Sequence, residues 1–233
     1  MPDDAITRIA QQKFRAASSN KSGSTPRIFV YDRNAEQRRL TQKALAMTGF
    51  DLEVVSDVSL LLNAIDPDRC GCLVTEPHLG DRNAAQFCAD APKLGLDFPV
   101  IVISDPCDPE EAVQVVQAGA FDFLVRPFSS IRLLDAVYRA IQCSQRTRVA
   151  RKSRNRLDQR YASLTDRERQ ILLMIVEGLP NKAIAVDLSI SQRTVETHRQ
   201  HIMHKLGASS LAELVRIAVV LEPDALNPHA LAS

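Results

Sequence analysis

A chain of 233 residues with 45% hydrophobic content, 24% charged residues and a net charge of +1 can bury one large core or two modest ones. Its apolar runs are far shorter than a bilayer span, its N-terminus has no signal-peptide apolar block, and its five cysteines (Cys70, Cys72, Cys88, Cys107, Cys143) form no CxxC pair. These features argue against a membrane protein, a secreted disulfide scaffold and a Cys/His metal site, and lead to the expectation of reduced thiols in a cytoplasmic protein.

The near-neutral total is unevenly distributed. Residues 27–143 balance to −6, residues 144–163 to +6 and residues 164–233 to −1. An acidic body joined to a near-neutral end by a basic connector suggests two domains and a polyanion as one partner. The expected division is a flexible extension at 1–26, a first domain at 27–143, a basic linker at 144–163, a second domain at 164–222 and a loose tail at 223–233.

In chain order, residues 1–26 end in the Ser/Gly/Pro-rich "SSNKSGSTP". From Arg27 to Cys143, short apolar runs ("RIFVYD", "DLEVVS", "GCLVTE", "PVIVIS", "FDFLV") alternate with amphipathic stretches ("AEQRRLTQKALAMTG", "VSLLLNAI", "AAQFCADAPKLG", "PEEAVQVVQAGA", "SIRLLDAVYRAIQ"). Continuous-apolar strands separated by helices predict an α/β domain with a doubly wound five-stranded parallel sheet. Sites in such folds lie at the carboxyl ends of the strands, where this chain places Asp32, Glu76, Ser104 and Arg126. The segment after the first strand, "YDRNAEQ", is not a glycine-rich phosphate loop, which argues against an enzyme on this sheet.

The connector carries Arg146, Arg148, Arg151, Lys152, Arg154, Arg156 and Arg160. They form either a solvated linker helix or an electrostatic aid to polyanion binding. Residues 164–222 then read as an all-α domain of four helices. Thr165 with Glu168 makes a capping box, Asn181 is placed to cap a short second helix, Ser191 caps a third that stops at Gly207, and a fourth begins near Ser210. A short helix, the turn "SIS" and a longer polar helix have helix-turn-helix spacing, although a plain four-helix bundle with a solvated face has the same pattern. On the longer helix Val195, Ile202 and Leu206 should face the core, with His198 or Arg199 at the flank. The opposite face offers Arg193, Glu196, Thr197 and Gln200 to base edges, while Lys182, Thr194, Arg199 and Lys205 suit phosphates.

"LTDRERQILLMIVEGLPNKAIAVDLSISQRTVETHRQHIMHKLGASSLAELVRIA" resembles the LuxR/FixJ-type DNA-binding domain along its whole length. The resemblance implies that the third helix enters the major groove of double-stranded DNA. It also implies that the fourth, through Leu211, Leu214, Val215 and Ala218, pairs two protomers on a two-fold site. Ser189 departs from the family, which usually has glycine there for a left-handed helix end. "RIFVYD", "LVTEPHLGD", "PVIVIS" and "AGAFDFLVRPF" resemble the flavodoxin/CheY-like receiver domain. Together the two halves resemble a two-component response regulator.

A working receiver holds Mg²⁺ on two adjacent acids and a phosphoaccepting aspartate, and contacts the phosphoryl group with a hydroxyl and a lysine. Ser104 and Pro127 fit that pattern. Tyr31 stands where the first acid belongs, leaving Asp32 alone; Glu76 stands in the phosphoacceptor position; Arg126 replaces the lysine. Glu76 is therefore expected to be a fixed charge that reaches toward Ser104 and Arg126, the contrary case being an inert pocket with Glu76 solvated. Mg²⁺ binding is expected to be weak or absent, even with Asp81 and Asp105 nearby, and no cofactor is expected. Phe123 matches the receiver's switch aromatic and equally suits a core position. The resulting expectation is a homodimeric, phosphorylation-independent transcription regulator, not an enzyme, with no evident role for a histidine kinase or a membrane. The alternatives are a protein- or ligand-sensing module on the same fold, or a receiver still phosphorylated at low efficiency.

Overall fold

The computed structural model describes residues 25–55, 61, 64–66, 69–94 and 98–222. Most of the expected extension, the tail, and most of the helix expected over "VSLLLNAI" lie outside these residues. Contacts divide the chain between Val149 and Ala150.

The first unit is built on β1 (Arg27–Tyr31), β2 (Asp51–Val54), β3 (Gly71–Thr75), β4 (His78–Leu79), β5 (Arg82–Asn83), β6 (Val100–Ser104) and β7 (Asp122–Val125). Five strands form one parallel sheet in the order β2-β1-β3-β6-β7, as the apolar runs predict. The antiparallel pair β4–β5, two residues each, was not anticipated. Among the described residues its helices are α1 (Ala35–Leu45), α2 (Ala84–Asp90), α3 (Pro109–Gln117) and the part of α4 (Ser130–Ala162) up to Val149, α4 continuing past the division. Asn34, Asn83 and Asp108 cap α1, α2 and α3 by accepting backbone N–H bonds.

Because strand side chains alternate, one strand feeds two cores. Phe29, Tyr31, Leu73 and Val102 pack with Phe87 and Val115 on one face; Ile28, Val30, Val74, Ile101 and Ile103 pack with Leu133, Val137 and Ile141 on the other. Every residue of β3 and β6 is buried. Gly71 is required where β3 begins, since a Cβ there would lie 2.1 Å from the Arg27 carbonyl oxygen. Helix α4, expected to stop near Cys143, continues as helix to Ala162, so the basic connector is helical.

The second unit contains α5 (Asp166–Val176), α6 (Asn181–Asp187), α7 (Gln192–Leu206) and α8 (Leu211–Leu221). Thr165 and Glu168 form the capping box, Ser191 accepts from the Thr194 N–H, and Gly207 ends α7 in the left-handed region. Asn181 does not cap α6: Pro180 holds that position with no side-chain bond, and Asn181 is the first helical residue. Val195, Ile202 and Leu206 are fully buried among Ile171, Leu172 and Ile184, as the spacing predicts.

Candidate functional site

The parallel registers bring four strand ends together. Tyr31 pairs with Thr75 and Ser104 with Val125, so the next residues, Asp32 beside Glu76 and Asp105 beside Arg126, emerge at one sheet edge. The Arg126 N–H donates to the Ser104 carbonyl at 2.8 Å, and the peptide from Arg126 to Pro127 is cis.

The expected reach of Glu76 toward Ser104 and Arg126 is not what the structure contains. Its carboxylate turns to the β1–α1 loop and accepts three bonds from Arg33. These come from the backbone N–H at 2.6 Å, from Nε at 3.0 Å, both to Oε1, and from Nη2 at 3.4 Å to Oε2. The hydrogen bond and then the charge of Glu76 raise the Arg33 guanidinium above its ordinary value. The reason is proximity. Arg33 follows Asp32 on the adjacent strand end and offers a backbone and a side-chain donor together, while the Arg126 guanidinium is engaged by Asp32 and Asp105.

Arg126 instead pairs with Asp32 at 2.9 Å and with Asp105 at 3.3 Å. Both members of the Asp32 pair are well shielded, at 8% and 17% side-chain exposure. Ser104 is buried and its hydroxyl donates to the Asp105 carbonyl at 2.8 Å. Tyr31 is buried, and its hydroxyl accepts the Gly80 N–H at 3.1 Å, tying β1 to the β4–β5 turn. Phe123 is half-buried against the core on the α2 and α3 side. Asp81 is exposed, and among the described residues no cluster of three or more His, Cys, Asp or Glu is arranged to hold a metal ion. Sequence reasoning missed Arg33, although a basic residue directly after the strand-end acid in "YDRN" was the available signal.

In the second unit, α7 exposes Arg193, Thr194, Glu196, Thr197 and Gln200, while His198 and Arg199 are half-buried at its flank. Lys182 is exposed on α6. The Thr197 hydroxyl donates to the Arg193 carbonyl, and the Thr194 hydroxyl shares a bond with that of Ser191. Lys205, expected to contact phosphate, bonds within its own domain. Its ammonium lies 2.6 Å from the Glu168 carboxylate and 3.1 Å from the Ser163 carbonyl, inside the domain. Burial pushes the Glu168 carboxyl up, but the bonds from Lys205 and Thr165 outweigh it and hold it below its ordinary value.

The pairing face expected on α8 also needs correction. Leu214 and Ala218 are buried in their own core, one helix turn apart, and cannot reach a second protomer. Leu211, Val219 and Val220 are the exposed apolar residues there, with Val215 half-buried between them. Two connector arginines serve the second unit itself: Arg154 bonds Asp158 and the Val220 carbonyl, and Arg160 bonds the Leu206 carbonyl. Ser189, at the end of α6, has φ of 53°, the left-handed conformation that glycine favours. Arg167, another residue missed from the sequence, donates to the adjacent Leu188 carbonyl at 2.7 Å.

Two family models match the chain: the response regulator receiver domain over residues 28–138, and the bacterial regulatory proteins, luxR family, over residues 162–218. Among curated relatives, the transcriptional regulatory protein FixJ of Rhizobium meliloti is 36% identical over 82% of this chain and 94% of its own length. The response regulator protein TodT of Pseudomonas putida (strain F1) is 32% identical over 82% of this chain and 84% of its own. The solved structure of the response regulator StyR superposes with a TM-score of 0.73 at 33% identity, over 84% of this chain and 98% of that one. Full-length FixJ from B. japonicum superposes with a TM-score of 0.51 at 30% identity, over 84% and 97%. A receiver sheet followed by a luxR-type helix-turn-helix, matched over nearly the full length of these relatives, places the chain in the LuxR/FixJ family of DNA-binding response regulators.

Proposed function

We propose that this response regulator binds DNA without a phosphoryl cycle, its receiver pocket being set permanently by internal ion pairs. The observation that carries the reading is the fate of the two carboxylates at the sheet edge: Glu76 is held by Arg33 and Asp32 by Arg126. Glu76 stands in the position where the family accepts a phosphoryl group, one methylene longer than aspartate. A carboxylate misplaced by roughly 1 Å reacts about 100-fold more slowly. Asp32 as a Mg²⁺ ligand would have to leave the Arg126 guanidinium, and Mg²⁺ demands several free oxygens in octahedral geometry. Kinase input and Mg²⁺ accordingly have no part in this reading.

DNA recognition is assigned to α7. Arg193, Glu196, Thr197 and Gln200 face base edges, and Lys182, Thr194 and Arg199 face phosphates; all of them lie at the surface or at the flank of the helix. Two protomers acting on a two-fold site fit the apolar stripe of α8 formed by exposed Leu211, half-buried Val215 and exposed Val219, at successive i, i+4 positions. The setting for such a regulator is the cytoplasm.

The experiment is a binding titration. A DNA site is selected by the full chain from a random library, and its affinity is measured with and without acetyl phosphate and Mg²⁺. Equal affinity is the expected result. Affinity that rises with the phosphodonor removes the proposal.

A further inference from the structure

The recognition helix is held at one end. Among the described residues, every side-chain bond that ties α7 to another element lies at its C-terminus: Lys205 to Glu168 and to the Ser163 carbonyl, and Arg160 to the Leu206 carbonyl. The N-terminal bonds, from Ser191 and within Arg193 and Thr197, are local to the helix. Three buried apolar residues, Val195, Ile202 and Leu206, form a single seam against α5 and α6. A seam of this kind resists separation more than it resists tilting, because dispersion and hydrophobic contacts are non-directional.

Hydrogen bonds are directional, and here they are well supported. Glu168 is 4% exposed and accepts from the Thr165 N–H and hydroxyl as well as from Lys205, so its carboxylate is fixed by the capping box of α5 before Lys205 reaches it. Arg160 lies across Gly207, where any Cβ would meet its guanidinium at 2.6 Å, and φ is 71°. The glycine therefore both ends α7 and makes room for the arginine that grips it.

We propose that Lys205, Glu168 and Arg160 are positioning residues that fix the tilt of α7, so that they govern discrimination between DNA sequences without touching DNA. At about 1.5 Å per residue, Arg193 lies about 18 Å from Lys205. A tilt of about 5° at the clamped end moves Arg193 by about 1.5 Å, which takes a base contact of about 2.9 Å out of hydrogen-bond range. Phosphate contacts tolerate such a shift better, since the charge of a lysine or arginine acts over several ångströms. Loosening the clamp lowers specific binding and spares non-specific binding.

The test uses the full chain, a duplex selected by that chain from a random library, and a scrambled duplex of equal length. The double variant Glu168→Gln with Lys205→Met removes both charges together, so no buried charge is left unpaired. Its ratio of selected to scrambled affinity should fall by about tenfold, the size of one lost base contact. The slope of log affinity against log salt should not change. A phosphate-binding Lys205 would make it shallower by about 0.9. Lys205→Arg, which keeps the pair, should leave the ratio at its original value. Arg160→Gln, at an exposed position that the core does not need, should lower the ratio by about threefold. If circular dichroism shows that the double variant has lost helix, Arg160→Gln decides alone.

A ratio within about twofold of the original in the double variant and in Arg160→Gln, or a salt slope shallower by about one unit in the double variant, overturns the clamp. Because the inference rests on α7 being the DNA-reading helix, Gln200→Ala is measured alongside. An unchanged ratio in Gln200→Ala defeats that reading of α7. A lowered ratio there, with the clamp variants unchanged, defeats the clamp alone.

Discussion

Two glutamates in this chain each accept a cation from a distant segment, and the two pairs behave differently. Glu168 is 4% exposed and meets Lys205 at 32%, inside the DNA-binding unit. Glu76 is 15% exposed and meets Arg33 at 59%, at the carboxyl edge of the receiver sheet. Between them stands Arg126 with Asp32, shielded on both sides. Identical charges thus range from structural pins to a surface latch, and burial decides which. A shielded partner left alone must carry an uncompensated charge, whereas an exposed partner is rehydrated by water.

The sharpest way to break this comparison is Arg126→Ala. It strands Asp32 in a buried site and should destabilise the receiver by about 3 kcal/mol, read from urea unfolding of the full chain. A loss below about 1 kcal/mol would show that the pocket admits enough water to make burial irrelevant. Lys205→Met comes next, at about 2 kcal/mol, because Lys205 itself is partly solvated. The Glu168 carboxyl sits below its ordinary value of 4.5, so the stability it contributes is complete above that pH and disappears as the pH falls through its lowered value. Glu168→Gln should flatten this acid-side dependence of the unfolding midpoint.

Ser189→Gly acts in the opposite direction. Relief of the left-handed backbone at 53° should stabilise the helical unit by about 1 kcal/mol, measured by its melting temperature. The smallest effect is assigned to Arg33→Ala, which should shift the unfolding midpoint less than either other variant, since that pair is the most exposed of the three. Should Arg33→Ala cost as much as Arg126→Ala, the distinction between latch and pin collapses.

The strands were legible because burial on both faces leaves continuous apolar runs, and the α7 seam because Val195, Ile202 and Leu206 repeat with the helix. Caps at Thr165 and Ser191 followed from local chemistry. What could not be read was which charged side chain meets which. Glu76 was matched to Arg126 by family position, while the strand registers bring Arg33 closer. Lys205 looked like one more basic residue on a polar helix, and nothing along the chain marks Glu168, 37 residues away, as its partner. The inward orientation of Leu214 and Ala218 likewise depends on how α8 meets α5, a long-range fact that helical periodicity does not contain. The pair β4–β5 is too short for any periodic signal.

The account turns on whether the pocket still takes a phosphoryl group, and intact mass spectrometry asks this directly. After incubation of the purified full chain with acetyl phosphate and Mg²⁺, the mass should be unchanged, with Glu76 held by Arg33 and Asp32 by Arg126. A stable adduct of a single phosphoryl group on Glu76 would contradict the account.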